Sequence, residues 1–258
     1  MTASLSLFVD RASPLHQLNP LTKLVLAGAL LAAGLLLPGQ WSGYALLFLV
    51  IWPLAALGRV AGALLRGVWP VVLPFAISVF LIQGFLWPGG TPLFHLGPVS
   101  LKQEGLAFAI AAVGRILIVV SSFVLFALTT RPDTLMIGLA QRGLPPSLAY
   151  VLVSTIQLVP RFRARAGAIL DAQRARGLET TGSWLKRARA LLPLVTPLVL
   201  SSLVDVEERA LAIEARAFNH PGPKTSLIEI GEAPWERVLR WLMGLAVLGC
   251  LALRLWPR

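Results

Sequence analysis

Apolar residues run through this chain in blocks too long for a globular core. Residues 24–58 carry no Asp, Glu, Lys or Arg, and neither do residues 67–101. One membrane crossing takes about 20 such residues. The first block therefore predicts two spans, at about 21–37 and 41–57, folded back at "LLLPGQWSG" (Leu35 to Gly43). The second predicts one span at about 68–86, entered through Pro70 and Pro74, and a Pro/Gly-rich loop "WPGGTPLFHLGPVS" (Trp87 to Ser100). A fourth apolar stretch, about 105–128, holds Arg115 near its middle. A buried guanidinium there faces the bundle interior or reaches an interface. The last apolar helix, about 235–256, has an uncharged core from Trp241 to Leu253, so spanning places Glu236, Arg237, Arg240 and Arg254 near the membrane surfaces.

Between the fourth and last spans the pattern changes. "DTLMIGLAQRG" (Asp133 to Gly143) has helical apolar spacing and predicts a short interfacial helix. "SLAYVLVSTIQLVP" (Ser147 to Pro160) predicts an apolar helix too short to span comfortably. A basic block follows: Arg161, Arg163, Arg165, Arg174, Arg176, Lys186, Arg187 and Arg189 against only Asp171 and Glu179. Charges at that density do not lie in hydrocarbon. Next come an apolar helix, residues 191–204, and a charged one, residues 205–218. The latter is expected to start at Asp205 as N-cap with Glu207 and Glu208 in its first turn. The predicted fold is all-α: a polytopic membrane protein of about five transmembrane helices with a cytoplasmic or interfacial helical region. The expected organisation is a cytoplasmic leader (1–20), transmembrane helices 1–4 (21–128), an amphipathic region (129–234) and a C-terminal transmembrane helix (235–258).

Composition and charge narrow the function. The chain is 56% hydrophobic and 14% charged, with a mean hydropathy of +0.75. Its opening, "MTASLSLFVDRASPLHQLNP", lacks the pattern of a cleavable signal, so the first span is expected to remain in the bilayer. The formal charge is +11, and most basic residues fall from Arg131 onward, in segments flanking apolar ones. Arg59 and Arg66, in the expected linker "GRVAGALLRG" (Gly58 to Gly67), put that linker and the N-terminus inside under the positive-inside rule. This distribution fits an anionic lipid surface at the cytoplasmic face rather than nucleic acid. Cys250 is alone and His16, His95 and His220 are scattered, so neither a disulfide nor a metal site is expected. "GPKTSL" (Gly222 to Leu227) lacks the glycine-spaced loop of a nucleotide site. No cofactor or catalytic centre is expected, which disfavours a lipid-modifying enzyme. Arg115 and the proline-bearing third span keep a self-contained transporter as an alternative.

Two short motifs stand apart. "ARG" (Ala175, Arg176, Gly177) and "ARA" (Ala215, Arg216, Ala217) each follow an amphipathic helix and place an arginine at its tip between small residues. Small neighbours admit another backbone, and guanidinium offers a directional fork to carboxylates or carbonyls. Two related tips imply a dimeric or pseudo-dimeric partner, although arginines on a cytoplasmic rim also serve as ordinary topology determinants. Arg161, Arg165, Asp171, Glu207, Glu208 and Glu214 lie on the same helices as candidate supporting contacts.

Together with the leader "SPLHQLNPLTKLV" (Ser13 to Val25), the "QRARG" of residues 173–177 and the "EARAF" of residues 214–218 give a chain that resembles the transmembrane (T) component of energy-coupling factor transporters, including the cobalt, nickel and biotin types. The resemblance covers nearly the whole chain. It implies a multi-pass protein of the inner (cytoplasmic) membrane, with coupling helices whose terminal arginines, Arg176 and Arg216, dock in two ATP-binding-cassette ATPase subunits or a homodimer of one. It also implies a membrane-embedded substrate-binding S component carried on the coupling helices, with ATP hydrolysis in the partners. One departure stands out. The family commonly has Gly after the second arginine, where this chain has Ala217, which puts a glycine-dependent turn in doubt.

Overall fold

The computed structural model describes residues 8–88, 91–96, 99–178, 184–218, 220, 222 and 230–255, with backbone alone at 92–96, 99–100 and 184–192. The chain divides into two compact units, one of residues 145–229 with the first five, the other of residues 6–144 and 230–258. Among the described residues, three helices are long and apolar enough to cross a membrane, and two shorter apolar helices accompany them. The protein is an all-α polytopic membrane protein.

The larger unit opens with α1 (Pro14–Gln17) and α2 (Pro20–Leu36). Asn19 caps α2, its side-chain oxygen accepting from the Leu21 amide at 3.0 Å, and Pro20 occupies the first turn, where no amide is needed. The second apolar helix is α3 (Ser42–Leu46), a π-helical turn (Leu47–Ile51) and α4 (Trp52–Leu57). Then come α5 (Ala61–Leu86), the strands β1 (Pro92–Leu96) and β2 (Val99–Lys102), α6 (Gln103–Thr129), α7 (Pro132–Ala140) and, after the smaller unit, α10 (Pro234–Leu255). The packed centre lies where α2, α3, the π turn and α5 meet α6, around Ile51, Val60, Leu64, Val68, Val113, Ile118 and Leu125. Large apolar side chains such as Leu49, Trp69, Val71, Ile77 and Phe123 point outward. That inversion suits lipid as the outer solvent.

Lipid tails are as apolar as leucine, so helix association here depends on close packing. Glycine supplies the closeness. A Cβ on Gly43 would collide with the Gly114 carbonyl, one on Gly114 would lie 2.7 Å from the Tyr44 ring, and one on Gly105 would collide with the Gln83 carbonyl. The Tyr44 hydroxyl donates to the Ile110 carbonyl at 3.0 Å, fixing the same contact.

Several expectations need correction. The loop at residues 87–100 holds part of an antiparallel β-hairpin, Pro92–Leu96 with Val99–Lys102. Its exit is tied by Glu104, whose carboxylate accepts from the Thr91 amide and hydroxyl at 3.0 Å. The linker expected at Gly58 to Gly67 shrinks to three residues, because α5 starts at Ala61 and Arg66 is helical. Within the leader, Ser13 and Leu15 are buried against the helices. The largest correction concerns the charged region. The helices expected at residues 147–160 and 161–177 are one helix, α8 (Pro146–Ala175), running through Pro160. Those expected at 191–204 and 205–218 are one helix, α9 (Trp184–Ala215), running through Pro193 and Pro197. Asp205 is therefore mid-helix, not an N-cap, and Glu207 and Glu208 are not in a first turn. A proline in a helix removes one backbone bond and bends the path without having to end it.

Both long helices stop in the same way. At the end of α8, the Gly177 amide donates to the Arg174 carbonyl (2.9 Å) and the Leu178 amide to Gln173 (3.0 Å). At the end of α9, the Ala217 amide donates to Glu214 (2.9 Å) and the Phe218 amide to Ile213 (3.2 Å). Each is a Schellman motif with arginine at the cap and the next residue left-handed: Gly177 at φ 91° and Ala217 at φ 53°. The alanine keeps the turn and bears the steric cost a glycine would avoid.

Two outcomes follow. Gly43→Val should lower the melting temperature of the purified protein in detergent, reflecting an overpacking cost of about 1–3 kcal/mol, whereas Gly62→Ala, where a Cβ meets nothing within 4 Å, should leave it unchanged; equal melting of the two would refute the close α3–α6 approach. Ala217→Gly should stabilise the end of α9 by about 1 kcal/mol, seen as slower hydrogen exchange at the Phe218 amide, and Gly177→Ala should do the opposite at Leu178.

Candidate functional site: paired arginine tips

Within the smaller unit, α8 and α9 run antiparallel. Tyr150, early in α8, lies against Phe218, just past α9, with ring centroids 5.6 Å apart, and further along Arg165 meets Asp205. Numbers rise on one helix as they fall on the other. The Arg165 guanidinium grips the Asp205 carboxylate with two bonds, Nη1 to Oδ2 at 2.6 Å and Nη2 to Oδ1 at 3.2 Å. Nη1 also reaches the Ser201 carbonyl at 3.4 Å. The hydrogen bond from Arg165, followed by its charge and those of Arg209 and Arg161, holds the Asp205 carboxyl below its usual range. Arg165 is correspondingly raised by the same bond. A depressed carboxylate contributes stability above its unfolded pKa and loses that contribution only as pH falls through the folded value. The pair is thus ionised throughout the neutral range.

This ion pair lies at matched distances from the two tips. Eleven residues separate Arg165 from Arg176, and eleven separate Asp205 from Arg216, which is about 16 Å of helix on each arm. Because the helices are antiparallel, the arms point away from the pair in opposite senses. The two tips are thus equivalent in their offset from the ion pair.

Ala175, Arg176, Gly177, Ala215, Arg216 and Ala217 are all exposed, so each guanidinium emerges from a small-residue collar at the carbonyl end of its helix. Of the other candidates, Arg165 joins the helices, and exposed Arg161 adds its charge near Asp205. Asp171 pairs with Arg174 one turn away at 3.5 Å, an exposed contact of little energetic weight. Glu207, Glu208 and Glu214 are exposed on α9. Lys186, Arg187, Arg189 and Glu179 lie outside the residues whose side chains are described, as does "GPKTSL" apart from Gly222. Arg115 is exposed on α6, twelve residues from its start and fourteen from its end. Its side chain leaves the bundle rather than entering it. Among the described residues no group of His, Cys, Asp and Glu is arranged to hold a metal.

Sequence spacing misses the Arg165–Asp205 pair because each half has another task there, Asp205 as a cap and Arg165 as a supporting contact on the helix that leads to Arg176. The shared offset of eleven residues was the available signal. A second polar cluster, in the larger unit, also went unnoticed. The Glu236 carboxylate, 4% exposed, accepts from the Asn19 amide at 3.1 Å and the Thr22 hydroxyl at 3.2 Å. Arg240 donates to Thr22 at 3.0 Å, and Lys23 donates to the His16 and Thr129 carbonyls, each at 2.9 Å. Glu232 pairs with Arg142 and Arg240.

Comparison with known proteins identifies the family. The family described as "Cobalt transport protein" (CbiQ) matches residues 11–227. The energy-coupling factor transporter transmembrane protein of Listeria innocua is 30% identical, over 95% of this chain and 94% of its own. The protein of the same description from Brevibacillus brevis is 32% identical, over 85% and 86%, and that of Thermosediminibacter oceani 26%, over 86% and 87%. A chain matched over most of its length, with paired arginine tips on helices set among membrane spans, belongs to the CbiQ family, the family of energy-coupling factor transporter transmembrane proteins.

Proposed function

We propose that this chain is the coupling subunit of an energy-coupling factor uptake transporter, and that Arg176 and Arg216 are its two points of attachment to a pair of ATP-binding-cassette ATPases. The observation that carries this reading is the pseudo-two-fold arrangement of the tips. Two helix ends closed by the same hydrogen-bonded turn, each with an exposed arginine at the cap, stand eleven residues from one ion pair on antiparallel helices. A dimer of ATPases, or two related ATPases, offers two equivalent sockets about one axis, and this surface matches that symmetry. Arginine suits such a socket because its charge persists and its fork engages carboxylates and carbonyls with fixed geometry.

In this reading the smaller unit faces the cytoplasm of a bacterial inner membrane, where its basic residues meet both the ATPases and anionic lipid. Apolar faces of α8 and α9, including Val151, Leu152, Ile156, Val199, Leu200 and Leu203, are exposed, and they are the surface assigned to the membrane-embedded S component. Closure of the ATPases on ATP moves the tips, the Arg165–Asp205 pair keeps α8 and α9 moving as one body, and the S component reorients. ATP hydrolysis belongs to the partners and substrate recognition to the S component. Arg115, on the outer face of α6, is read as a charge answered by a partner or by water reached along its own length, not as a transport site of this chain.

Two measurements test this. Arg176→Glu with Arg216→Glu should abolish co-purification of the ATPases while membrane insertion persists, with each single change giving partial loss; full retention by the double variant would remove these residues from the interface. Arg165→Asp or Asp205→Arg alone should uncouple ATP hydrolysis from uptake at least tenfold with ATPases still bound, and the two changes together should restore transport, at least in part. If the swapped pair stays as defective as either single variant, the ion pair is not the joint between the arms.

A further inference from the structure

At one end of the larger unit, α2, α7 and α10 border an open cleft of about 690 Å³ whose lining includes Asn19, Arg142, Glu232, Arg237, Arg240 and Trp241. Three arginines lie there against one carboxylate. Glu232 is paired with Arg142 and Arg240 and lies 3.8 Å from Arg237. The nearby Glu236 does not line the cavity, since its oxygens turn into the N-terminus of α2. Among the described residues, the wall therefore carries about two positive charges beyond the one that Glu232 answers. Arg142 is set in place by a Schellman turn like those of the two tips, with the Gly143 amide on Ala140, the Leu144 amide on Leu139 and Gly143 at φ 106°.

A second cavity of about 420 Å³ continues from it between α2 and α10. It is lined by Val25, Gly28, Ala29, Ala32, Trp241, Met243, Gly244, Leu245, Val247 and Leu248, so Val25 and Trp241 are common to both. The two helices run parallel, joined by Asn19 to Glu236 at one end and by Arg254 to the Leu35 carbonyl (3.1 Å) at the other. The apolar groove thus follows the membrane-crossing direction, away from the arginines. It exists because its walls are small: a Cβ on Gly28 or on Gly244 meets nothing within 4 Å.

We propose that these joined cavities are a binding site for one anionic phospholipid, with its phosphate among Arg142, Arg237 and Arg240 and an acyl chain in the groove past Trp241. The charge excess fits an anionic head group, guanidinium forks match phosphate oxygens, and the apolar continuation fits a chain that a soluble anion does not have. A basic pocket between membrane helices at the bilayer surface is the setting in which such head groups are held, and Trp241 stands at the boundary where indole rings are favoured. The site narrows the lipid contact of the proposed function to defined residues. It needs only that the chain spans a membrane, so it holds or fails independently of the ATPases.

The test is native mass spectrometry of the full-length chain released from vesicles of equal phosphatidylglycerol and phosphatidylethanolamine, counting retained lipids. The expected result is one preferentially retained phosphatidylglycerol. Arg237→Gln, at a side chain 72% exposed, should weaken retention about fivefold, and adding Arg142→Gln should weaken it about as much again. Gly28→Leu, filling the groove, should also reduce retention, with melting temperature preserved. Arg66→Gln, an exposed arginine elsewhere, should change nothing. Equal retention of both lipids, or wild-type retention by Gly28→Leu together with Arg237→Gln, overturns the proposal. So does displacement by inorganic phosphate with Gly28→Leu silent, which would make the cavity a soluble-anion site.

Discussion

An ionised group withdrawn from water must find its partner within the protein, and this rule sorts the charges of the chain. Lys23 is answered by two carbonyls at the ends of other segments, and Glu236 by the amide of Asn19, the cap of α2, and the hydroxyl of Thr22 in its first turn. These contacts are what bring the start of the chain, the end of α6 and the start of α10 together. The helix supplies its own field, since a carboxylate at an N-terminus meets the positive end of the dipole. Other charges stand outside: Arg176, Arg216 and Arg115 are exposed, with no ion pair among the described residues. Satisfied charges thus fix the larger unit, while the arginines left exposed at the tips are those free to bind something else.

Much of this architecture was legible in the sequence. Charge-free runs located the apolar helices, three of them long enough to cross a membrane, and the two arginine motifs stand out by repetition. What escaped was whatever depends on contacts far apart in the chain. The α8 boundary was drawn at Pro160 and the α9 boundary at Asp205 because hydropathy changes there, yet backbone hydrogen bonding follows neither change. Asp205 looked like a cap while its neighbours were known only in sequence; across the unit it faces Arg165, and tertiary pairing overrides the local preference. The hairpin after α5 was hidden for a different reason. Its Pro/Gly-rich sequence reads as a loop, and two short strands depend on each other rather than on any strong local signal.

The substitution at Ala217 shows how a family pattern can change without changing the shape it encodes. Gly177 and Ala217 occupy the same station in the same hydrogen-bonded turn. Only glycine enters that conformation freely. In α9 the turn is held from outside as well, because Phe218, the residue after it, is packed against Tyr150. Two backbone bonds and a ring contact together determine the angle, so the side chain of Ala217 need not favour it. The cost remains as local strain beside one arginine and not beside the other. The pseudo-symmetry of the tips is therefore geometric but not energetic.

Equal spacing about the Arg165–Asp205 pair gives the smaller unit the character of a balance beam. With arms of the same length on opposite sides of one fulcrum, a rigid rotation about that point displaces Arg176 and Arg216 by the same amount in opposite senses, and neither end gains mechanical advantage over the other. A push on one tip alone turns the beam, whereas equal pushes on both, directed along the axis, translate it without turning. Whatever grips the two ends is thereby read by its sum in one mode and by its difference in the other.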